Sequence, residues 1–188
     1  MNSPLNTFLS YYRPYRLTLF IDLLCALVVA GILLIYPLCA GYVTRTVLDN
    51  PGPEAWAQLV RAGVFMLGLL AVQIAANTFV DYQGHMMGTF IERDMRRDLF
   101  AHLQKQSFAF FDSRRTGQLM SRVTNDLFDV GELAHHGPED LFIAVLLFTG
   151  VFVILLSLNP PLTLLLFAFL PFMAAYAIYF NVRLNRAL

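Results

Sequence analysis

Four long apolar runs constrain this chain more than any other feature of its sequence. They lie at about residues 17–43, 59–82, 138–158 and 162–182. The hydrocarbon core of a bilayer is about 30 Å thick, and an α-helix needs about 20 apolar residues to cross it. Each run reaches that length, and 57% of the 188 residues are hydrophobic while 14% are charged. The runs therefore predict an all-α membrane protein with four membrane-spanning helices.

The helical pattern of the second run continues beyond the predicted membrane. An apolar residue recurs at every fourth position over Met87–Leu103, and charged residues fill the other faces. A second apolar stripe, over Met120–Ala134, begins within the polar stretch Phe110–Asp126 and leads toward the third span. At about 1.5 Å per residue, the first arm would extend roughly 30 Å from the bilayer. Residues 83–137 are therefore predicted to form a helical hairpin outside the membrane.

Residues 108–117 form the turn at the predicted end of this hairpin. Asp112 or Ser113 can cap a short helix, because the first N–H groups of a helix lack partners within it. Arg114 and Arg115 would then place cations near the far end of that helix, where its dipole favours positive charge. The order of these four residues predicts a short helix at the turn.

Two further features of the turn concern its end and its exposure. Gly117 permits a backbone conformation that separates the short helix from the next one, which we expect to restart near residues 116–118. Phe110 and Phe111 are expected to stay exposed beside polar residues. An exposed aromatic pair at the end of a solvated hairpin predicts a partner surface.

The stretch FFDSRRTGQLMSRVTND, which begins at Phe110, resembles a known family pattern. It is similar to FFD-x-x-x-TG-x-L-x-SR-x-x-x-D, found in the first cytoplasmic loop of the transmembrane domains of exporter-type ABC transporters. The resemblance extends along the whole chain, from a Tyr/Arg elbow at residues 1–16 through the four apolar runs to the NPPL sequence that enters the fourth. It makes residues 17–188 the first part of that family's domain.

This resemblance implies a six-helix membrane domain that forms the translocation pathway and works as a homodimer or heterodimer with a second transmembrane half. It implies a nucleotide-binding domain, on the same or a separate polypeptide, which binds ATP and Mg²⁺ and lies outside this chain. Residues 108–117 would be the coupling loop that contacts that domain. The implied contact residues are Phe110, Phe111, Asp112, Ser113, Arg114, Arg115, Thr116 and Gly117.

The distribution of basic residues predicts the orientation in the membrane. With the N-terminus inside, eleven of the 13 Lys and Arg residues fall on the cytoplasmic side, leaving Arg45 and Arg61 outside. We therefore expect a multi-pass protein of the plasma membrane, the inner membrane in a bacterium, with both termini of the chain cytoplasmic. The elbow would lie at the membrane interface. A cleaved secretory signal is the rival interpretation, but the run at 17–43 is longer than a signal core.

Polar residues near the predicted membrane boundaries leave two interpretations open. Asp22 is either a substrate or proton site, or a carboxylate at headgroup level paired with an Arg such as Arg16, which we favour. The polar cluster His135–Asp140 suggests either a metal site or an interfacial belt with a Gly-Pro kink. We favour the belt, because neighbouring residues on a helix are expected to point away from each other.

No motif for catalysis or for a bound cofactor is visible in the sequence. It lacks the P-loop pattern G-x-x-x-x-G-K-[ST] and any evident nucleophile and base arrangement, so we expect no ATP hydrolysis and no cofactor in this chain itself. A net charge of zero gives no reason to expect nucleic acid as a partner. The lipid bilayer and a nucleotide-binding domain are the expected partners. The chain ends before a fifth span, so we expect a fragment or a truncated product.

A membrane sensor is the alternative function. The stripes of the hairpin alone would also suit the coiled-coil relay of a signalling protein, with a transmembrane region on either side of it. The FFD, TG and SR elements favour transport over signalling.

Overall fold

A computed structural model describes residues 3–48, 52–112 and 116–185 of the chain. Within these ranges the secondary structure is helical, without a strand. This confirms the predicted all-α class. The helices are α1 (Pro4–Ser10), α2 (Arg16–Tyr42), α3 (Ala55–Leu103), α4 (Phe108–Asp112), α5 (Thr116–Ser121), α6 (Leu127–Leu158) and α7 (Pro160–Asn185). A 3₁₀ turn at Arg13–Tyr15 and π-helical segments at Val43–Leu48 and Arg122–Asp126 connect them.

Four helical stretches are long and apolar enough to cross a membrane. They are Pro4–Arg45, Ala55–Leu103, Gly117–Leu158 and Pro160–Leu184. This agrees with the four apolar runs of the sequence, while the exact limits of the membrane-embedded parts stay predictions. Between the first two runs, helical structure continues to Leu48 and resumes at Ala55.

The chain divides into two compact units, residues 1–145 and residues 146–188. In the first unit, α2 packs along α3, and the hydroxyl of Tyr36 donates a 2.7 Å hydrogen bond to the carbonyl of Met66. In the second unit, the end of α6 packs on α7 through aromatic rings. Phe148 and Phe152 contact Phe167 edge to face, with ring centroids 5.2 and 4.7 Å apart.

Asn159 alone separates α6 from α7, as the NPP sequence predicts for a tight turn. Its side-chain oxygen accepts a 3.2 Å hydrogen bond from the N–H of Leu162, and its carbonyl accepts one of 2.8 Å from the hydroxyl of Thr163. These contacts satisfy donors in the first turn of α7, where helical N–H groups otherwise lack partners.

Candidate functional site

The two arms of the hairpin are α3 and the stretch from α5 into α6, and they approach each other closely at glycines. A Cβ atom added at Gly88 would lie 2.8 Å from the carbonyl oxygen of Gly131, and one added at Gly84 would overlap the imidazole of His135. Small residues at such spacing let helix backbones come together. The spacing Gly84-x-x-x-Gly88 was a signal for this contact that the sequence analysis did not use.

Both predicted apolar stripes face protein. On α3, Met87 and Ile91 are buried, and on the opposite arm Val123, Leu127 and Ala134 are buried. These positions confirm the periodicity read from the sequence. Met120 is the exception, since its side chain is 57% exposed.

Arg96 ties the arms together nearer the tip. Its guanidinium pairs with Glu92 one turn earlier and donates a 3.3 Å hydrogen bond to the carbonyl of Val123. Val123 lies in the π-helical segment of the other arm, where the regular hydrogen-bond ladder is interrupted. The arginine therefore stabilises the irregular part of that arm.

The tip differs from the sequence expectation in the position of its short helix. Helix α4 spans Phe108–Asp112, and the N–H of Phe110 donates to the carbonyl of Ser107 at 3.0 Å. Asp112 therefore lies four residues into the helix, so the prediction that it caps the beginning was wrong. Ser113, Arg114 and Arg115 lie outside the described residues, and so does the expected placement of the two arginines.

Gly117 does not have the conformation predicted for it. The described part of α5 begins at Thr116, and Gly117 lies inside it. The residues before Thr116 lie outside the described ranges, so the expected restart near residues 116–118 stays a prediction. No glycine of the described residues has a positive φ. Gly117 is therefore an ordinary helical residue and not a left-handed one.

The aromatic residues of the tip are also arranged differently from the prediction. Phe110 and Phe111 are half-buried and contact each other edge to face, with ring centroids 5.4 Å apart. Phe111 lines an apolar groove of about 690 Å³ together with residues of both arms. The ring that stands out is Phe108, 90% exposed, which the sequence analysis did not single out. The groove includes Phe100, Leu103, Leu119, Met120 and Val123.

Three tyrosines of the elbow bind the hairpin arms. Tyr15 donates a 2.8 Å hydrogen bond to Asp94. This hydrogen bond, together with the hydrogen bond and positive charge of Arg93, holds the pKa of the Asp94 carboxyl below its usual value. Asp94 lies outside the predicted spans. Tyr11 donates to Asp98 at 3.2 Å, and Tyr12 lies buried in a cluster with Met87, Ile91 and Ala134. The aromatic residues assigned to a membrane interface thus also make specific protein contacts.

The expected pairing of Asp22 with Arg16 is wrong. Asp22 is 1% exposed, and within the described part of the chain neither of its oxygens has a hydrogen-bond partner. Its carboxylate lies instead with the side chains of His135 and Glu139, whose ligand-type atoms are all within 4.8 Å of one another. Asp22 and His135 are 113 positions apart in sequence, so no local pattern could have predicted this contact.

The cluster His135–Asp140 is only in part the polar belt we expected. His136 and Asp140 are exposed, but His135 is 2% exposed and the side chain of Glu139 is 12% exposed. The two histidine rings lie side by side, with centroids 4.4 Å apart, and both also contact His85. The side chains of consecutive residues leave a helix in directions about 100° apart around its axis. His135 and His136 therefore lie on either side of the line from α6 to α3, and both rings can contact His85.

Comparisons with known proteins give the family of the chain. The model of the ABC transporter transmembrane region matches residues 19–188. The chain is 43% identical over 183 residues to the "Uncharacterized ABC transporter ATP-binding protein YwjA" of Bacillus subtilis (strain 168), covering 97% of this chain and 31% of that protein. It is 33% identical over 167 residues to YknV of the same organism, an "Uncharacterized ABC transporter ATP-binding protein", covering 88% and 27%.

A third relative carries a more explicit name. The chain is 26% identical over 182 residues to the "Putative multidrug export ATP-binding/permease protein YgaD" of B. subtilis (strain 168), covering 95% of this chain and 31% of the relative. The chain thus spans less than a third of the length of these proteins. The family match covers nearly all of the chain and includes its four long apolar helices. The chain therefore belongs to the family of ABC transporter transmembrane regions.

Proposed function

We propose that this chain forms part of the translocation pathway of an ATP-driven exporter in the plasma membrane, with both termini of the chain in the cytoplasm. The names of the relatives support this, since YwjA is named an ABC transporter ATP-binding protein and YgaD a putative multidrug export ATP-binding/permease protein. The eleven basic residues on one predicted side support the orientation. The membrane-sensor alternative gains no support from the family match.

The coupling role of residues 108–117 belongs to the same proposal. In it, the hairpin tip contacts a nucleotide-binding domain that binds ATP and Mg²⁺, and a second transmembrane half completes the pathway. The observation that carries the proposal is Phe108, whose ring is 90% exposed at the end of the hairpin. A fully buried Phe ring contributes roughly 1.5 to 3 kcal/mol. An aromatic ring this exposed to solvent is therefore a candidate to bind in a pocket on a partner protein.

The remainder of the tip is arranged to hold that anchor rigidly. In the proposal, Phe111, which lines the groove between the arms, holds α4 beside it, and Arg96 joins the arms through its hydrogen bond to the carbonyl of Val123. A lever transmits motion only if it does not bend, and the uninterrupted α3 provides one stiff arm. The two phenylalanines therefore have different roles in the proposal: Phe108 contacts the partner and Phe111 supports the helix that carries it.

The test uses the complete gene product in lipid nanodiscs, with Cys25 and Cys39 replaced by Ser and a spin label at Asn159→Cys. In the proposed dimer, adding ATP, Mg²⁺ and vanadate, which traps ADP after hydrolysis, should change the label-to-label distance. Phe108→Ala should leave ATP binding intact but remove most of this change. Phe128→Ala is the matched control, since Phe128 is 55% exposed on the arm and distant from α4 in sequence.

Two results would contradict the proposal at different levels. If the protein bound no ATP, the assignment as part of an ATP-driven exporter would be wrong. If ATP shifted the distance equally with and without Phe108→Ala, the protein could still be an exporter, but the tip would not couple it through this ring.

A further inference from the structure

Three ligand-type side chains from two helices meet inside the first compact unit. Asp22 comes from α2, while His135 and Glu139 come from one face of α6, four residues apart. Their nitrogen and oxygen ligand atoms all lie within 4.8 Å of one another. Asp22 is 1% and His135 2% exposed, so the group is closed off from solvent.

The polar atoms of this group lack partners. Among the described residues, both oxygens of Asp22, Nδ1 of His135 and one oxygen of Glu139 accept or donate no hydrogen bond. No Lys or Arg in the described ranges forms an ion pair with either carboxylate. Two carboxylates in such a place are costly unless a cation or a proton compensates them. The group therefore requires an occupant that supplies positive charge.

The spacing of the atoms fits a metal ion. His135 Nδ1 and a carboxylate oxygen of Glu139 lie 3.5 Å apart, too long for a hydrogen bond. Two ligands at about 2.1 Å from one Zn²⁺ in tetrahedral geometry lie about 3.4 Å apart. The remaining separations are at most 4.8 Å, so the ligand atoms need to approach one another by no more than about 1.4 Å to bind one ion.

We propose that Asp22, His135 and Glu139 bind a divalent first-row transition-metal ion, with Zn²⁺ as the reference ion. One imidazole nitrogen with two carboxylate oxygens is a donor set that suits Zn²⁺ or its transition-metal neighbours better than Ca²⁺ or Mg²⁺, which prefer oxygen alone. Three protein ligands leave a fourth position for water. This inference does not depend on the exporter function proposed above.

The surroundings of the triad support a built site. His135 occupies space that exists only because Gly84 on α3 has no side chain, since a Cβ there would overlap the ring. The exposed His85 and His136 lie next to His135 and form a second ligand-type group with it. These two histidines give an entering ion a route of imidazole contacts from the surface to the buried triad.

The test measures Zn²⁺ binding by the complete gene product in nanodiscs after removal of metal with a chelator. Calorimetric titration with Zn²⁺ should show about one ion per chain, and Co²⁺ in its place should give the visible absorption of a four-coordinate site. Asp22→Asn and Glu139→Gln keep the shape of each side chain and remove its charge. Each should weaken Zn²⁺ binding by at least about tenfold.

Asp140→Asn is the matched control, because Asp140 is the exposed carboxylate next to Glu139. It should bind Zn²⁺ as the wild type does. The proposal is overturned if the wild type binds no Zn²⁺, which would mean that a shared proton occupies the triad. It is also overturned if Asp22→Asn and Glu139→Gln bind Zn²⁺ unchanged, which would mean that the exposed histidines alone hold the ion. Size-exclusion profiles establish folding, and if either variant aggregates, the wild-type Zn²⁺ stoichiometry and the other variant decide.

Discussion

The hydroxyl of Tyr12 donates a 2.7 Å hydrogen bond to the backbone carbonyl of Ala134, 122 positions later in the chain. Ala134 lies four residues before Pro138 in α6, and a proline has no N–H to donate to that carbonyl. The elbow therefore supplies the hydrogen bond that the proline removes. This contact joins the N-terminal segment to the place where the hairpin arm approaches the predicted third span.

Removing this hydroxyl tests the contact directly. Tyr12→Phe keeps the ring in the buried cluster but leaves the Ala134 carbonyl without a donor. An unsatisfied buried carbonyl costs about 1 to 3 kcal/mol. We expect the free energy of unfolding in detergent to fall by that amount.

Tyr11→Phe provides the control for this change. Its hydroxyl donates at 3.2 Å to Asp98 at an exposed position, so its loss should change the free energy of unfolding by less than about 0.5 kcal/mol. Equal effects of the two substitutions would show that the Tyr12 hydroxyl does not complete the hydrogen bonding of α6.

The four-helix organisation could be predicted because the bilayer imposes it locally. Each span has to be a continuous apolar helix of a certain length, and residues 17–43 or 162–182 show that property on their own. The stripe over Met87–Leu103 is local in the same sense. A period near four residues marks the buried face of a helix whatever it packs against.

The pairing of those faces could not be predicted from the same signals. Asp22 looked like a boundary carboxylate because nothing near it in sequence shows that His135 packs beside it. Asp112 looked like a helix cap, but α4 already begins at Phe108. A contact distant in sequence decided the position of Asp22, whereas the Gly84-x-x-x-Gly88 spacing is local and could have been used.

The orientation of the spans can be measured by thiol labelling in intact cells. With Cys25 and Cys39 replaced by Ser, Asn159→Cys should react with an impermeant reagent, since residue 159 joins two spans on the predicted outer side. Gln104→Cys, at the end of α3, should react only after the cells are permeabilised. The opposite labelling pattern would show that the orientation predicted from the basic residues is wrong.

Aromatic packing in the second unit should contribute to the free energy of unfolding through contacts between the rings alone. In lipid, burial against another helix gains little hydrophobic free energy, because lipid tails are as apolar as the protein. Phe167→Ala removes two edge-to-face pairs, with Phe148 and Phe152, each contributing about 0.5 to 1.5 kcal/mol. We expect a loss of about 1 to 3 kcal/mol in unfolding free energy measured in mixed micelles.

Phe172→Ala on the same helix is the comparison, since its ring is 74% exposed and makes no aromatic pair among the described residues. It should be close to neutral. A loss at Phe172 as large as that at Phe167 would indicate that another surface covers α7 and that these pairs are not decisive.

The close approach of the hairpin arms predicts opposite results at two glycines of the same hairpin. At Gly88, an added methyl group would lie 2.8 Å from the carbonyl oxygen of Gly131 and 3.3 Å from Cβ of His135. Backbone atoms cannot move aside as a flexible side chain can, so Gly88→Ala should destabilise the hairpin by about 1 to 3 kcal/mol.

At Gly117, an added Cβ would meet nothing within 4 Å, and the φ of Gly117 is not positive. Gly117→Ala should therefore be neutral or stabilise α5 by up to about 1 kcal/mol. Thermal unfolding of both variants in one detergent checks the pair, and a Gly88→Ala protein as stable as Gly117→Ala would mean that the arms are not in backbone contact.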